Sequence, residues 1–394
     1  MKPKIAFWFR YGPAEHADLF HALPSIIAQL SLKMEIHYFA MKTSKPVPDS
    51  LADHLVIHWL PLTISMRSTR DKLIKTLLWV ACLPGIALWC RINRVKYIFM
   101  DESLPLCALI ARIFFGRNFI LTVADSFLDV YLNQNALTRW VANCINALDY
   151  FALRRLPLIF TRTNAGCAFL ASKGVDPGCC HAVYDPCDFS IFHPIPRDAA
   201  RRQFGIGEKD FVIVHHGILH PNKGNDFIIR ALATLGDDIQ SLKFLLIGDG
   251  PESERIKTLV RELNLEQTVI FTGRLKTLQE VKVGLNCADV GLVMRIGQAS
   301  DHFHVTGTLV HNMACGLPIL AVRLDGIAEI IQEGENGFLF SPNSAEEFGG
   351  KLKRLAEDPV LRERIGRAAL SDAKRLFAIE AVTAQITKSL ETIS

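Results

Sequence analysis

Short runs of β-branched and aromatic residues alternate with longer amphipathic stretches along the whole chain. These runs predict ten strands, at residues 5–9, 35–40, 97–100, 119–123, 158–161, 211–215, 243–248, 268–272, 289–294 and 318–322. Alternation of this kind is typical of βαβ units around a parallel sheet. A chain of 394 residues has room for two domains. We therefore predict an α/β fold of two Rossmann-like, doubly wound lobes that face a cleft.

The boundary between the lobes is predicted from residues 185–196, which contain three prolines. Proline lacks a backbone donor and resists helical geometry, so this stretch reads as a linker rather than a regular element. Ligands of parallel sheets bind at the carboxyl ends of the strands, so we expect the chemistry in the cleft between the two lobes.

Charge and cysteine content exclude several classes of protein. Residues 1–200 carry 21 Lys and Arg against 15 Asp and Glu, whereas the remainder carries 23 against 25. This excess is far below the basic stripes of nucleic-acid binders, so we expect no nucleic-acid partner. The ten cysteines form no C-x-x-C pair, which favours free thiols in a reducing cytoplasm. The apolar run at 5–9 is too short for a signal peptide.

The segment at 67–96 leaves two interpretations open. Its uncharged stretch, residues 76–90, has 15 residues and contains Pro84-Gly85, whereas a membrane-spanning helix needs roughly 18 to 20 residues. The stretch is bracketed by seven basic residues: Arg67, Arg70, Lys72, Lys75, Arg91, Arg94 and Lys96. It is either a peripheral surface for an anionic membrane or a buried helix of an α/β domain.

The clearest chemical signal follows the predicted strand at 211–215. The chain there turns through Gly217 and carries Lys223 just before a predicted helix at 226–235. Gly217 would let the backbone approach phosphate oxygens, and Lys223 would add a positive charge to that of the helix N-terminus. Three further glycine-marked strand ends, at 245–252, 265–275 and 312–321, indicate a mononucleotide-type pocket in this lobe.

The order of these motifs resembles the donor-binding lobe of the family-four retaining glycosyltransferases, group 1, which have the GT-B architecture. The resemblance covers residues 205–345 and includes Gly217-x-Leu-x-x-x-Lys-Gly224, Gly248-Asp-Gly-Pro-Glu252 and Met313-Ala-Cys-Gly-Leu-Pro318. It implies an acceptor-side lobe at 1–190, a nucleotide-sugar-binding lobe at 191–375 and a final helix at 376–394 that returns to the first lobe. Lys223 takes the place of the lysine that contacts the donor diphosphate.

Several positions depart from the family pattern. Ile218 replaces the arginine of the Gly-Arg motif, so a second cation must come from Arg274, Arg295 or His220. The E-x7-E glutamates fall on Phe303 and His311, of which only His311 could accept a ribose hydroxyl. Asp301, two residues before Phe303, is the alternative acceptor for the ribose.

The resemblance also locates an acceptor-side histidine, which falls here on Ala124 beside Asp125. We therefore predict Asp125 as acceptor base and Lys223 as the group that stabilises the leaving diphosphate. His302 and His304 in the loop at 300–307 face phosphate or sugar rather than a metal, and no Asp-x-Asp occurs. We predict no metal and no cofactor. The predicted donor-binding residues are Gly12, Gly217, Lys223, Arg274, Asp301, His304, Thr306 and His311.

These observations predict a metal-independent hexosyltransferase in the cytoplasm, either free or peripheral on the inner face of a membrane. It would move a sugar from a nucleoside-diphosphate sugar to a glycan or lipid-linked acceptor, in the synthesis of cell-surface polysaccharide or lipopolysaccharide. Two alternatives stay open: a catalytically inactive homologue that binds a nucleotide sugar or a partner transferase, and an epimerase on the same fold.

Overall fold

The computed structural model of the chain describes residues 2–9, 12–14, 23–42, 45–60, 74, 77–101, 106–116, 119–123 and 136–393. The chain divides into two compact units. Unit 1 comprises Met1–Tyr184 and Ile379–Ser394, and unit 2 comprises Asp185–Ala378.

Unit 1 is built on a parallel sheet of seven strands. The strands are β1 (Lys4–Trp8), β2 (Glu35–Met41), β3 (Val56–Leu60), β4 (Tyr97–Asp101), β5 (Phe119–Val123), β6 (Leu158–Thr161) and β7 (Cys180–Ala182). Their order across the sheet is β3-β2-β1-β4-β5-β6-β7, so the chain starts in the middle and reverses direction beside β1. That reversal is the strand order of a doubly wound sheet.

Helices connect or cover these strands in the described part of unit 1. They are α1 (Leu23–Ser31), α2 (Asp49–Ala52), α3 (Leu83–Ile92), α4 (Cys107–Phe115), α5 (Ala136–Leu153), α6 (Asn164–Ser172) and, from the end of the chain, α15 (Ile379–Glu391). The core includes Phe7, Tyr38 and Ile120 from the sheet together with Val382 and Leu390 from α15. The Tyr97 hydroxyl donates to the Leu390 carbonyl oxygen at 3.0 Å, which ties α15 to this unit.

Unit 2 repeats the plan with six parallel strands in the order β10-β9-β8-β11-β12-β13. The strands are β8 (Phe211–His216), β9 (Leu242–Ile247), β10 (Val269–Gly273), β11 (Val290–Val293), β12 (Ile319–Val322) and β13 (Gly337–Phe340). Almost every residue of β8, β9, β11, β12 and β13 is buried, as expected for a parallel sheet covered on both faces.

The helices of unit 2 complete the α/β alternation. They are α7 (Arg197–Gln203), α8 (Asn225–Leu235), α9 (Ser253–Glu262), α10 (Leu278–Asn286), α11 (Gly307–Ala314), α12 (Asp325–Ala328), α13 (Ala345–Glu357) and α14 (Pro359–Phe377). Short 3-10 turns occur at Pro221–Lys223 and Ala299–Phe303. Both of these turns lie close to the carboxyl ends of strands.

The predicted α/β fold of two doubly wound lobes is confirmed. All ten predicted strands are present within a residue or two of their expected bounds, and three strands were missed: β3, β7 and β13. The proline-rich stretch at 185–196 has no helix or continuous strand, and it packs on unit 2. The Ile195 amide donates to Asn286 Oδ1 at 2.9 Å, and the Cys187 amide donates to the Phe377 carbonyl oxygen at 2.7 Å.

No helix in the described part of the chain combines the length and the apolar character that crossing a bilayer requires. The helix α3 lies within the segment 67–96, and both interpretations of that segment stay open. Leu83, Ile86 and Cys90 are buried, whereas Leu88 and Ile92 are exposed. Of the predicted membrane cations, Arg67, Arg70, Lys72 and Lys75 lie outside the described residues.

Candidate functional site

Two glycine turns meet at the carboxyl edge of the unit 2 sheet. Gly217 follows β8 with a φ of 136°, and Gly248 follows β9 with a φ of 138°. A Cβ atom on Gly248 would lie 1.9 Å from the Gly217 carbonyl oxygen. No larger residue fits there, because that distance is far inside van der Waals contact. The Gly217 amide donates to the Ile247 carbonyl oxygen at 2.9 Å, which holds the turns together.

Lys223 stands beside this edge, at the end of the turn Pro221–Lys223 and before the N-terminus of α8. Its positive charge acts on the two histidines that end β8. Burial, with the charges of Lys223 and Arg295, lowers the pKa of His215 to about 4. Burial and the neighbouring His311, His215 and Lys223 likewise hold the pKa of His216 well below its ordinary value. The site therefore keeps both imidazoles neutral near pH 7 and concentrates the positive charge on Lys223.

Three aromatic rings stack beside the N-terminal half of α11. The His311 ring lies on the Phe192 ring with centroids 3.8 Å apart and an interplanar angle of 9°. The His216 ring follows on a nearly parallel plane at 5.2 Å from His311. Thr308 fixes the arrangement, because its hydroxyl donates to the His216 carbonyl oxygen at 2.9 Å. The stack thus positions His311 at the carboxyl end of β8.

The loop before α11 is organised by Asp301, which is 1% exposed. Its Oδ1 accepts from Arg295 Nη1 at 3.0 Å, and its Oδ2 accepts from the Gln298 amide at 3.0 Å. Thr306 caps the helix, accepting from the Leu309 amide at 3.3 Å. Asp301 therefore anchors this loop and neutralises Arg295, and a contact between Asp301 and the donor ribose stays a prediction.

Several buried polar atoms near this edge have no hydrogen-bond partner among the residues that the structure describes. They are His216 Nε2, Arg295 Nε and both polar atoms of the Asn225 side chain. Asn225 is 3% exposed and begins α8 directly after Lys223 and Gly224. A buried polar group left unpaired costs about 1 to 3 kcal/mol. Buried, unpaired polar atoms at the carboxyl edge of a parallel sheet indicate a polar ligand or ordered water.

The other predicted site residues lie on separate elements of the chain. Arg274 is exposed after β10, and His304 is half-buried in the loop before α11. Gly12 is buried and lies in unit 1, after β1. Asp125, with Ala124, lies outside the described residues. Ile218, at the place of the family arginine, is 67% exposed.

The opposite edge of the same sheet holds a cavity of about 520 Å³ around Asp289. The Asp289 carboxylate accepts from Arg197 at 2.6 Å, from Arg201 at 2.8 Å and from the Val212 amide at 2.8 Å. The remaining donors of the buried Arg201 guanidinium are used on backbone carbonyl oxygens. This network ties α7 to the sheet, and we assign it a structural role.

Metal ligands are not grouped in the described part of the chain, where no three His, Cys, Asp or Glu side chains are placed to share an ion. The His302 imidazole of the loop before α11 lies 3.1 Å from a carboxylate oxygen of Asp325.

Residues 196–372, which include all the glycine turns described above, match the family of glycosyl transferases group 1. The chain is thus similar to that family over a little under half of its length. It is 27% identical over 203 residues to an N-acetyl-alpha-D-glucosaminyl L-malate synthase of Bacillus anthracis, which covers 52% of this chain and 51% of that protein. It is 28% identical over 264 residues to a 2-deoxystreptamine glucosyltransferase of Streptomyces kanamyceticus, covering 65% and 67%. The chain thus spans about half to two thirds of these curated relatives.

Several solved structures share the fold over the length of the chain. Anabaena HepE in complex with UDP is 19% identical and matches with a TM-score of 0.73, covering 100% of both chains. A sucrose-phosphate synthase of Thermosynechococcus elongatus is 18% identical with a TM-score of 0.75, covering 100% of this chain and 99% of that one. The GT-B fold class expected from the motifs is confirmed by these neighbours.

Sequence reasoning missed three contributors to the site. His216 was visible as the second of two consecutive histidines at a strand end, a place where polar residues face ligands rather than core. Asn225 was visible as a polar residue at a helix start after a lysine and a glycine. Phe192 could not be identified, because its contact with His311 joins residues 119 positions apart in the sequence.

Proposed function

We propose that this chain transfers a hexosyl group from a nucleoside-diphosphate sugar to a glycan or lipid-linked acceptor, with the donor held at the carboxyl edge of the unit 2 sheet. The observation that carries the proposal is the position of Lys223. Its ammonium acts on His215 and His216 beside the tightly packed turns at Gly217 and Gly248. A diphosphate is bound by this combination of a positive charge and close backbone approach.

The proposed mechanism consists of positioning and leaving-group stabilisation. When the bond between the anomeric carbon and the diphosphate oxygen breaks, the electron pair stays on the diphosphate. The Lys223 ammonium and the N-terminus of α11 would stabilise that charge, and Gly217 would let the backbone approach the phosphate oxygens. Gly12 would add an amide, Arg274 a second cation, and His304 and Thr306 would contact the phosphates or sugar. Retention of configuration and independence from metal ions are parts of this proposal.

The nucleotide of the donor and the residue that binds its ribose are also part of the proposal. HepE was solved with UDP, UDP with glucose, and UDP-glucose, which favours a UDP-hexose as the donor here. We assign the ribose to the neutral His311 imidazole, held flat by Phe192 and His216, with Asp301 as the alternative. Asp125 would take the proton of the acceptor hydroxyl as general base.

The setting of the reaction is also proposed from the sequence and the relatives. At 28% identity over 44% of its length, the chain is also similar to the glycosyltransferase WcaL of Salmonella typhimurium, which is named for colanic acid biosynthesis. We place the chain in cell-surface polysaccharide or lipopolysaccharide synthesis, in the cytoplasm or peripherally on the inner face of a membrane. Residues 67–96 would contribute to contact with an anionic membrane.

A catalytically inactive homologue that binds a nucleotide sugar or a partner transferase is the second candidate. It is favoured by Ile218, whose exposed side chain cannot replace the family arginine, and by the stacked His311 in place of a glutamate. Binding without turnover would distinguish it from an active enzyme.

The test mixes the purified chain with a panel of nucleotide sugars and measures both the melting shift and the release of nucleoside diphosphate. A shift with release supports the transferase, whereas a shift alone supports the inactive homologue. Formation of an epimeric sugar product would indicate an epimerase. No shift with any nucleotide sugar would contradict donor binding at this site.

The lysine is tested by the variants Lys223→Ala and Lys257→Ala. Removing the charge-assisted bond from Lys223 should weaken nucleoside-diphosphate binding by about 1.5 to 3 kcal/mol. Lys257 is a matched control, because it is an exposed lysine of the same unit that pairs with Glu254 on α9. Equal affinities in the two variants would show that Lys223 does not contact the diphosphate.

A further inference from the structure

The helix α5 in unit 1 exposes three large apolar residues, and it buries two polar residues beside the apolar Ala152 and Leu153. Trp140, Leu148 and Phe151 recur at helical spacing, and all three are exposed, Trp140 by 66%. On the other side, Asn146 and Asp149 are buried, and an Asp149 carboxylate oxygen accepts from the Leu106 amide at 3.0 Å. A helix that covers a sheet normally presents polar residues on its outward side. The outward side of α5 is therefore built to contact something other than water.

The neighbouring helices extend this apolar side. Leu88 and Ile92 are exposed on α3, and Ile113 is exposed on α4 by 69%. Hydrogen bonds join the carboxyl ends of the three helices into one surface. Arg91 Nη2 of α3 donates to the Phe114 carbonyl oxygen at 3.3 Å, and Arg112 of α4 donates to the carbonyl oxygen of Arg155, which follows α5. The six apolar residues of this α3–α5 face are Leu88, Ile92, Ile113, Trp140, Leu148 and Phe151.

The charge on the α3–α5 face has one sign. Asp149 is the only acidic residue in the sequences of α3, α4 and α5, and it is buried. Arg91, Arg112 and Arg155 supply positive charge among the apolar side chains. The Arg155 guanidinium lies 3.7 Å from the centre of the Phe151 ring. Its positive charge is therefore in contact with one of the exposed apolar side chains. A second copy of the same face would bring arginines against arginines, which opposes self-association.

We propose that the α3–α5 face docks on an anionic lipid surface. Leu, Ile and Trp side chains insert at the level of the headgroups, while arginines at their margin bind lipid phosphates. The stripe from Trp140 to Phe151 runs for about 16 Å along α5 at 1.5 Å per residue, so the helix would lie in the plane of the interface. The role extends the membrane contact proposed for residues 67–96 to α4 and α5, which that segment does not include.

The consequence for function rests on the proposed glycosyltransfer. Unit 1 is the predicted acceptor-side unit, so its docking would favour an acceptor that is itself held in the membrane, a lipid-linked sugar. Vesicle binding is measured without any donor. A failure to dock is thereby distinguished from a failure to transfer sugar.

The experiment floats the full chain with vesicles of phosphatidylcholine alone or of phosphatidylcholine mixed with phosphatidylglycerol. The wild type should float with the mixed vesicles and much less with phosphatidylcholine. The triple variant Ile113→Gln, Trp140→Gln, Leu148→Gln should lower the partition coefficient at least about tenfold, because three inserted side chains are lost. The matched controls are Leu32→Gln in unit 1 and Val360→Gln in unit 2, which alter exposed apolar residues elsewhere and should leave partitioning unchanged.

Folding and self-association are checked on the same samples. The substituted residues are exposed, so the melting temperature of the triple variant should stay close to that of the wild type. Three results would overturn the proposal: no flotation of the wild type, equal flotation with both kinds of vesicle, or a wild-type dimer that the triple variant converts to a monomer. The last result would assign the face to a second copy of the chain.

Discussion

Units 1 and 2 share one plan of parallel strands and covering helices, yet their outer surfaces differ. Within the described part of the chain, the exposed large apolar side chains of unit 1 include Leu77, Leu88, Ile113 and Trp140, whereas those of unit 2 are Ile218 and Val360. The helices of unit 2 are polar outside: α9 reads SERIKTLVRE and α13 reads AEEFGGKLKRLAE. The same α/β architecture therefore carries an apolar exterior in one unit and a solvated one in the other.

This difference shows that the fold alone does not fix what a unit contacts. Burying the sheet requires only the inner side of each helix, so the outer side is free to vary. Unit 2 concentrates its unusual features at the carboxyl edge of its sheet, in tight turns and neutral histidines. Unit 1 places them on the outward sides of α3, α4 and α5. The two units would thus contribute to function through different parts of the same plan.

The largest change in the free energy of unfolding is expected at the glycine turns of unit 2. Gly248→Ala should lower the free energy of unfolding by about 3 kcal/mol or more, because its Cβ would collide with the Gly217 backbone. Chemical denaturation measures this loss. Gly350→Ala is the control, since a Cβ there meets open space on α13, and it should be neutral or slightly stabilising. Equal stabilities would show that the two turns are not tightly packed.

The buried histidines of unit 2 predict a pH dependence. His215 stays neutral in the fold, with its pKa lowered to about 4, whereas the unfolded chain protonates near 6.5. The unfolded state therefore takes up protons first, and the free energy of unfolding falls as the pH drops from about 6.5 to about 4. His215→Gln should remove about 2 kcal/mol of the difference in stability between pH 7 and pH 5.

The control for this measurement is His58→Gln in unit 1. Burial and the neighbouring His37 lower the pKa of His58 too, but His58 is only half-buried, so its variant should retain most of the wild-type slope. A slope in His215→Gln as steep as that of the wild type would contradict the assignment.

A smaller effect concerns helix capping, which is better developed in unit 2. Thr277 and Glu280 form a capping box at the start of α10, whereas the residues before α3 and α4, Cys82 and Leu106, make no side-chain capping bond. Thr277→Ala should lower the free energy of unfolding by about 1 kcal/mol. Thr258→Ala, in the middle of α9, serves as comparison and should cost less. A larger loss at Thr258 would mean that the capping box is not formed.

The smallest effect is expected for exposed apolar residues on the outer surfaces of the two units. Leu88→Gln on α3 and Val360→Gln on α14 both change exposed residues, so each should alter the free energy of unfolding by less than about 0.5 kcal/mol. Thermal or chemical denaturation checks both. A substantial loss in Leu88→Gln alone would show that its side chain packs within unit 1.

Periodicity located the strands well because each buried run is short and flanked by polar or glycine residues. It missed β3, where His58 interrupts the apolar run and whose pattern of burial is mixed. It missed β7, which has only three residues, and β13, whose four apolar residues follow closely on a turn. Edge strands and very short strands carry too little pattern to be distinguished from loops.

The candidate site was only partly visible in the sequence. Gly217 and Lys223 could be predicted because a glycine turn after a strand and a lysine before a helix form a phosphate-binding motif within a few residues of sequence. The engagement of Asp301 by Arg295 could not, since a carboxylate in a loop has the same sequence signature whether it faces a ligand or anchors the chain. Its burial depends on how the loop packs.

The sequence by itself determined the α/β alternation, the glycine turns of unit 2 and the neighbourhood of Lys223, because these depend on residues a few positions apart. Tertiary structure decided which residues come together from distant segments: Phe192 on His311, and α15 on the core of unit 1. It also decided that the large apolar residues Trp140, Leu148 and Phe151 lie on the outward side of α5. An amphipathic pattern predicts that the two sides of a helix differ in polarity. Only packing against the sheet selects which side is buried.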